Sequence, residues 1–363
     1  MSAARKSAGV SWRVVVAGLL LVWIFHTIFI NEGRLAFQQG HTSWSALSRL
    51  QQWRAAWTYG PPELWRTLTL VHPGAFTISL ACMVATIFLG VARWRMVLAV
   101  QGLSLSFSRT LGISFVAHFF NSFLLGSTGG DLMKALYAAR ETHHKKTEAV
   151  VTVLVDRLIG LWAMLLFAGL MMLPNLSLIL RYKRLAAVSL FILLMLAGCT
   201  VILGVAFWGG ISRFWPGARA FFRKLPKGEM LERSLDACRQ FGGHRWFLAR
   251  TLLISMVINL ANVGQLIALS EGLGLGIPWM ALAVIVPIII CISALPITPS
   301  GLGVRENLFV LMLAVPEINV PATGALSLSL LAFAGFLFWS LVGGVVYVTL
   351  KDREHLEQVE REE

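Results

Sequence analysis

Long apolar runs separated by short polar segments dominate this chain. Those at 14–30, 74–92, 149–173, 185–208, 248–270 and 322–350 approach or exceed the roughly 20 residues an α-helix needs to cross about 30 Å of hydrocarbon. Two regions break the pattern. Residues 111–126 are apolar but short, and lead into Gly126-Ser127-Thr128-Gly129-Gly130-Asp131. Residues 279–315 hold two apolar pieces divided by Pro296-Ile297-Thr298-Pro299-Ser300-Gly301-Leu302-Gly303-Val304-Arg305-Glu306. Irregular backbone at membrane depth is tolerated only where protein or a water-filled cavity satisfies its N–H and C=O groups. A pair of such breaks, one in each half of a membrane protein, points to a substrate site. The pattern predicts an all-α polytopic membrane helix bundle of about six full spans plus two re-entrant helical hairpins.

Loop charge sets the topology. Residues 92–110 carry Arg93, Arg95 and Arg109 with no acid, and 209–247 carry eight Lys/Arg against three acids, so both loops are expected in the cytoplasm. The parity holds if 111–126 dips in from the cytoplasm and returns near Asp131–Thr147. The same counting makes 279–315 re-enter from the outer side and leaves both termini cytoplasmic. Hairpins entering from opposite faces are what an inverted repeat requires. Against this scheme stand Arg181, Lys183 and Arg184, which it places outside.

Three segments follow: 1–73, a first span plus an outer interfacial stretch; 74–350, the transmembrane domain; and 351–363, a charged cytoplasmic tail expected to fray. Leu47, Leu50, Trp53 and Trp57 form an apolar stripe beside Arg49 and Arg54, as in a helix lying in the interface, with Pro61-Pro62 ending it. Arg5, Lys6 and Arg13 precede the first run, and no small-residue cleavage site follows, so it reads as an uncleaved span.

Composition agrees. The 363 residues are 57% hydrophobic and 13% charged, with a mean hydropathy of +0.73, a surface that water alone could not solvate. A net charge of +13 would suggest nucleic acid in a soluble protein. In this setting it sits in loops and attracts anionic lipid, and no nucleic-acid partner is expected. The four cysteines fit neither a disulfide framework nor a zinc site, and no residue cluster suggests a metal or another cofactor.

Ionisable groups inside the membrane are functional candidates by default. Gly129 and Gly130 would let backbone approach a ligand, with helix N–H groups facing a phosphate and Lys134 one turn on. Asp131 could instead simply cap those N–H groups. Ser300, Gly301, Gly303, Arg305 and Glu306 form the matching set, where a local Arg305–Glu306 ion pair is the plain alternative. Asp156 and Arg157 lie two turns inside a span and point about 100° apart, so they cannot share one partner. Only Arg157 can offer a phosphate a bidentate fork there, against the plainer reading of a snorkelled interfacial arginine. Asn259, Asn262 and Gln265 recur every three residues, which interhelical hydrogen bonding explains more often than cavity lining. His118 and Asn121 are secondary cavity candidates, His118 more simply a structural histidine.

Enzymatic chemistry finds little footing. Ser300 lacks a nearby histidine, since none occurs between His244 and His355, and no P-loop is present. At Arg93-Trp94-Arg95, Gly129-Gly130-Asp131 with Lys134, Asp156-Arg157, and Leu295-Pro296 through Arg305-Glu306, the chain resembles the lysylphosphatidylglycerol synthase transmembrane-domain family of flippase-like proteins. The likeness runs from about residue 74 to 350. It differs from the common family pattern at Leu125-Gly126, at Lys134 (commonly arginine) and at Asp156 (commonly glutamate). The resemblance implies an inner-membrane protein that moves a polar-headed lipid between leaflets and is not itself an enzyme. It implies membrane lipids, anionic ones above all, as partners, with a homo-oligomer or a lipid-biosynthesis enzyme as further ones. A membrane enzyme or accessory subunit in glycolipid, isoprenoid-lipid or hopanoid synthesis is the alternative.

Overall fold

The computed structural model describes residues 44–122, 128–142, 145–207, 237–294, 301 and 304–362, with isolated positions between 22 and 37. The expected span at 14–30 and residues 208–236 of the second basic loop therefore lie outside the described residues, as do Ser300 and Gly303. Every regular element among the described residues is a helix. In chain order they are α1 (Arg49–Leu70), α2 (Pro73–Val100), α3 (Phe107–Asn121), α4 (Thr128–Glu141), α5 (Lys146–Met172), α6 (Leu176–Arg181), α7 (Lys183–Phe207), α8 (Arg245–Gly272), α9 (Trp279–Ser293), α10 (Val304–Leu313) and α11 (Ala322–Glu362). Five stretches are long and apolar enough to cross a membrane: Pro73–Val100, Lys146–Asn175, Leu185–Phe207, Trp246–Gly272 and Gly324–Thr349. These are the last five spans read from the sequence.

Three expectations are corrected. Helix α1 runs unbroken through Pro61 and Pro62. It starts from a capping box, in which Ser48 Oγ accepts from the Gln51 N–H while Ser48 N–H donates to Gln51 Oε1. Its middle is clamped: a Cβ on Gly60 would sit 2.7 Å from Phe29 Cα, and one on Gly33 2.7 Å from Ala56 Cα. Trp57 Nε1 also donates to His26 Nδ1 at 2.9 Å. That packing outweighs the helical hydrogen bonds the prolines remove. Second, α2 continues to Val100, so Arg93 and Arg95 belong to a helix and not to a loop. Third, α11 continues as a helix through the charged tail to Glu362.

The frame is an antiparallel pair, α2 with α8. A Cβ on Gly272 would lie 2.4 Å from Ala75 Cβ, Gly264 faces Cys82, and Arg93 meets Ser255, so the contacts descend α8 as they climb α2. Gly272 closes the register, with its carbonyl accepting from the His72 N–H. Small residues at such a crossing let backbones approach without a hydrophobic drive between helices. Along its other side α2 meets α11: Trp339 Nε1 donates to the Leu80 carbonyl, and Gly335 sits beside Leu80 and Met83.

The pair defines two ends. At the basic end, Lys145 Nζ donates to the Gln101 carbonyl and Gln101 Nε2 to the Ala237 carbonyl. A Cβ on Gly242 would strike the Phe207 carbonyl, so the end of α7 joins this group. The described flanks of the two basic stretches thus lie at one end. At the opposite end, a Cβ on Gly324 would lie 2.8 Å from Leu275 Cδ2, and Arg181 pairs with Glu317 at 3.3 Å. The hydrogen bond from Tyr182 to Glu317 holds that phenol above its ordinary pKa.

Glycine packing recurs where α3 meets α11. A Cβ on Gly343 would lie 2.1 Å from the Phe115 carbonyl oxygen, and one on Gly344 2.9 Å from the Phe119 ring. Gly198 on α7 faces open space. Gly343→Ala is expected to cost about 1–3 kcal/mol, the usual range for overpacking a tight contact. Gly198→Ala should leave stability unchanged or slightly raised, because alanine favours the helix. Thermal unfolding of the two variants in detergent checks the difference.

Candidate functional site

Both breaks interrupt helix pairs too short to cross a bilayer. Helices α3 and α4 have 15 and 14 residues, about 21–23 Å at 1.5 Å per residue. Helices α9 and α10 have 15 and 10, again short of the ~30 Å core. Helix α3 starts from Ser106, whose Oγ accepts from the Arg109 N–H, and its base is tied to that of α4 by an Arg109–Glu141 ion pair. At the tip, Asn121 Oδ1 accepts from the Gly130 N–H at 2.8 Å. The first pair is therefore an antiparallel hairpin open at the basic end. In the second pair, six residues separate α9 from the end of α8 at Gly272, and eight separate the end of α10 from α11, which begins beside Leu275. That pair opens at the opposite end.

Both tips dock on α11. At the first, Ser122 and Ser340 hydroxyls share a short hydrogen bond, and His118 Nε2 lies 3.2 Å from the Phe336 carbonyl with its ring 4.4 Å from the Phe336 ring. At the second, Gly301 adopts φ +71°, a conformation open to glycine, and a Cβ there would lie 2.9 Å from Ser293 Cβ. Arg305 pairs with Glu306, donates to Ser329 Oγ at 3.1 Å and lies 4.6 Å over the Phe333 ring. Ser329 donates in turn to Glu306. Phe333 and Phe336 stack with centroids 5.9 Å apart, so aromatic rings on one helix separate the two tips.

The charges of α4 and α5 meet as the helical spacing dictates. Asp131 and Lys134 are one turn apart on α4, and adjacent Asp156 and Arg157 on α5 diverge. Arg157 Nη1 bonds Asp131 Oδ2 at 2.7 Å, while Lys134 Nζ sits 3.5 Å from Asp156 Oδ2. Asp156, 8% exposed at its side chain, also takes Arg93 Nε at 2.8 Å. Arg93 Nη1 donates to Ser255 Oγ, whose hydroxyl donates in turn to the Thr251 carbonyl. Lys134 Nζ stands 4.5 Å over the Trp94 ring, whose Nε1 donates to Thr152. Gly160 leaves room for the guanidinium, since a Cβ there would lie 2.9 Å from Arg93 Nη2. Among the described residues, three cations thus face two carboxylates, an excess of one positive charge. Asp156 is ten residues into α5 and Ser255 ten into α8, roughly 15 Å from the helix starts at the basic end.

The sequence-derived residues fall into two clusters and not one. Asp131, Lys134 and Arg157 join at the first hairpin, whereas Gly301, Arg305 and Glu306 join at the second. Asp131 pairs with Arg157, and it is Asn121 that meets the Gly130 N–H. Gly129 is buried, and the missing side chain of Gly130 makes room for the Ala117 carbonyl and Asn121, so it serves closure of the hairpin. The Asn259 amide donates to the Ser255 carbonyl of its own helix; Gln265 is buried and Asn262 half-buried on the same helix. Arg93 and Ser255 were not read as site members, and Asp156 was named beside Arg157 without its partners. A base and an acid inside separate apolar runs were the available signal, but nothing in sequence pairs positions 63 residues apart.

The chain belongs to the family described as the lysylphosphatidylglycerol synthase TM region, whose profile matches residues 45–343. No curated relative matches the chain. Family membership and the five apolar helices make this an integral membrane protein connected with lipid metabolism or transport.

Breaking a buried pair leaves the partner charge stranded, at a cost of about 3–5 kcal/mol. Arg93→Gln or Asp156→Asn alone should destabilise by that order, and the double variant by less than the sum. Arg109→Gln, at the more exposed hairpin base, should cost about 1 kcal/mol or less. Thermal unfolding of the purified variants separates these cases.

Proposed function

We propose that the protein is a translocase for a polar-headed lipid that carries a phosphate. The observation that carries this reading is the pair of short hairpins. They open at opposite ends of the bundle and bring their broken tips to one helix, α11. In a bilayer, each would be re-entrant from its own face, giving the inverted arrangement in which many transporters hold substrate near the midplane. The cluster beside the first tip supports a phosphate in the headgroup. Among the described residues it is one positive charge in excess, and Arg157 has the planar fork that suits phosphate oxygens. Exposed leucine, isoleucine, valine and phenylalanine side chains on α7 and α8 would face acyl chains, and the headgroup would pass the polar tips.

In this reading no covalent bond is made or broken. The work of the site is to replace headgroup hydration with fixed charges and hydrogen-bond donors while the acyl chains stay in lipid. The second cluster is neutral and already satisfied by Ser329, so its part is to hold the α10–α11 junction while the first cluster meets the phosphate. With the basic loops cytoplasmic, the first hairpin would open towards the cytoplasm and the second outward.

Reconstitution into vesicles with a fluorescent anionic phospholipid tests the reading. Wild-type protein should accelerate exchange of the lipid between leaflets above that in empty vesicles. Arg157→Gln should lower the rate about tenfold or more, in line with losing a charge-assisted contact. Wild-type exchange no faster than in empty vesicles would refute transport of that lipid.

A further inference from the structure

We propose that Asp131 is an internal competitor for the headgroup phosphate, holding Arg157 until a ligand displaces it. This rests on the phosphate-binding reading above and adds how the site is occupied when empty.

The two ion pairs of the cluster are not equivalent. Asp156 is held by two cations from different helices, and the Arg93–Asp156 pair is 13% and 8% exposed. Arg93 is further fixed by Ser255. Neither member can leave without stranding a charge among packed helices. The Arg157–Asp131 pair is 31% and 33% exposed, at the first turn of α4 beside the break. Asp131 also feels Lys134 favourably and Asp156 unfavourably. A pair about one third exposed is easier to exchange than one buried among packed helices.

Its position gives that exchange a consequence. Asp131 bonds the guanidinium that a phosphate would use, so carboxylate and phosphate compete for one fork. With Asp131 in place, the half-exposed Arg157 is matched, and the excess positive charge lies with Arg93 and Lys134, which share Asp156. Entry of a phosphate frees the carboxylate to turn towards the polar break. The fixed Arg93–Asp156–Lys134 unit keeps α2, α4, α5 and α8 in register throughout. One carboxylate is therefore a regulator and the other a scaffold, and their removal should change binding in opposite senses.

The test is titration of the full-length protein in detergent with dihexanoyl phosphatidic acid, inorganic phosphate and, as the uncharged control, dihexanoylglycerol. Asp131→Asn, close in shape but without charge, should bind phosphatidic acid about two- to fivefold more tightly than wild type, the scale of a partly exposed ion pair. Asp131→Ser should do the same, which guards against an effect of the new amide. Asp156→Asn should bind no more tightly and should unfold at lower temperature. Unchanged or weaker binding by both Asp131 variants, with wild-type melting, overturns the proposal, as does equal tightening by Asp156→Asn. Arg157→Gln reports on the underlying reading: wild-type affinity in that variant removes the phosphate site itself. Weakened Arg157→Gln without tightening at Asp131 removes only the competition. Equal tightening towards inorganic phosphate supports the competition and assigns the site to free phosphate.

Discussion

Arg93, Asp156 and Lys134 come from three helices, and the arrangement of the bundle around the first break follows from how they satisfy one another. Two unit charges of opposite sign attract far more strongly in a low-dielectric interior than in water, yet each alone is costly there. Helices α2, α4 and α5 therefore cannot slide by a turn without leaving a charge exposed to hydrocarbon. Ser255 extends the constraint to α8, and Gly160 leaves the space the guanidinium occupies. In a membrane, where burying apolar side chains gives little preference for one helix packing over another, such a network can select a unique arrangement. The glycine crossings at Gly272 and Gly343 then set how closely the helices approach.

The same constraint explains why the first hairpin can be short. A helix of 14 or 15 residues that stops inside hydrocarbon has unsatisfied backbone groups at its tip. Asn121 meets one of these, the Gly130 N–H, and the serine pair Ser122–Ser340 fixes the tip to α11. Lys134 and Asp131 anchor the returning arm to α5. The second hairpin uses a different solution. Gly301 turns the chain, and Arg305 and Glu306 neutralise each other against Ser329 and Phe333. The two breaks look alike as polar, glycine-containing interruptions, but one ends in a partly open charge cluster and the other in a closed one.

Much of the architecture was legible because hydropathy and loop charge act over whole segments. The five spans from residue 74 onward were readable, because a 20-residue apolar run has few alternatives in a bilayer. The limits of α1, α2 and α11 were not. Proline at 61–62 marks a helix end only if nothing clamps the flanking turns, and Phe29 and Gly33 do so from outside that window. Arg93 marks a loop only if it lacks a partner, and that partner is 63 positions away. At the site, one-turn spacing placed Asp131 with Lys134 and separated Asp156 from Arg157. Which of these met which was a tertiary fact. A preference for Arg157 alone overlooked that its neighbour Asp156 anchors the scaffold.

The division of labour between the two carboxylates bears on how a lipid headgroup could cross such a bundle at all. A site that binds phosphate by unpaired cations would hold them in hydrocarbon whenever it is empty, which burial disfavours strongly. A site in which every cation is permanently paired would have nothing to offer. A cluster with one fixed pair and one exchangeable pair avoids both extremes, because the same guanidinium is matched by protein carboxylate or by ligand phosphate. The different exposures of Arg93–Asp156 and Arg157–Asp131 fit that requirement. So does their placement, the fixed pair binding α2 to α5 and the exchangeable pair lying where the break begins. The neutral Arg305–Glu306 cluster completes the logic. It lies at the tip of the hairpin that opens at the opposite end, so on the proposed reading a phosphate leaving Arg157 would meet no second excess of positive charge to hold it there.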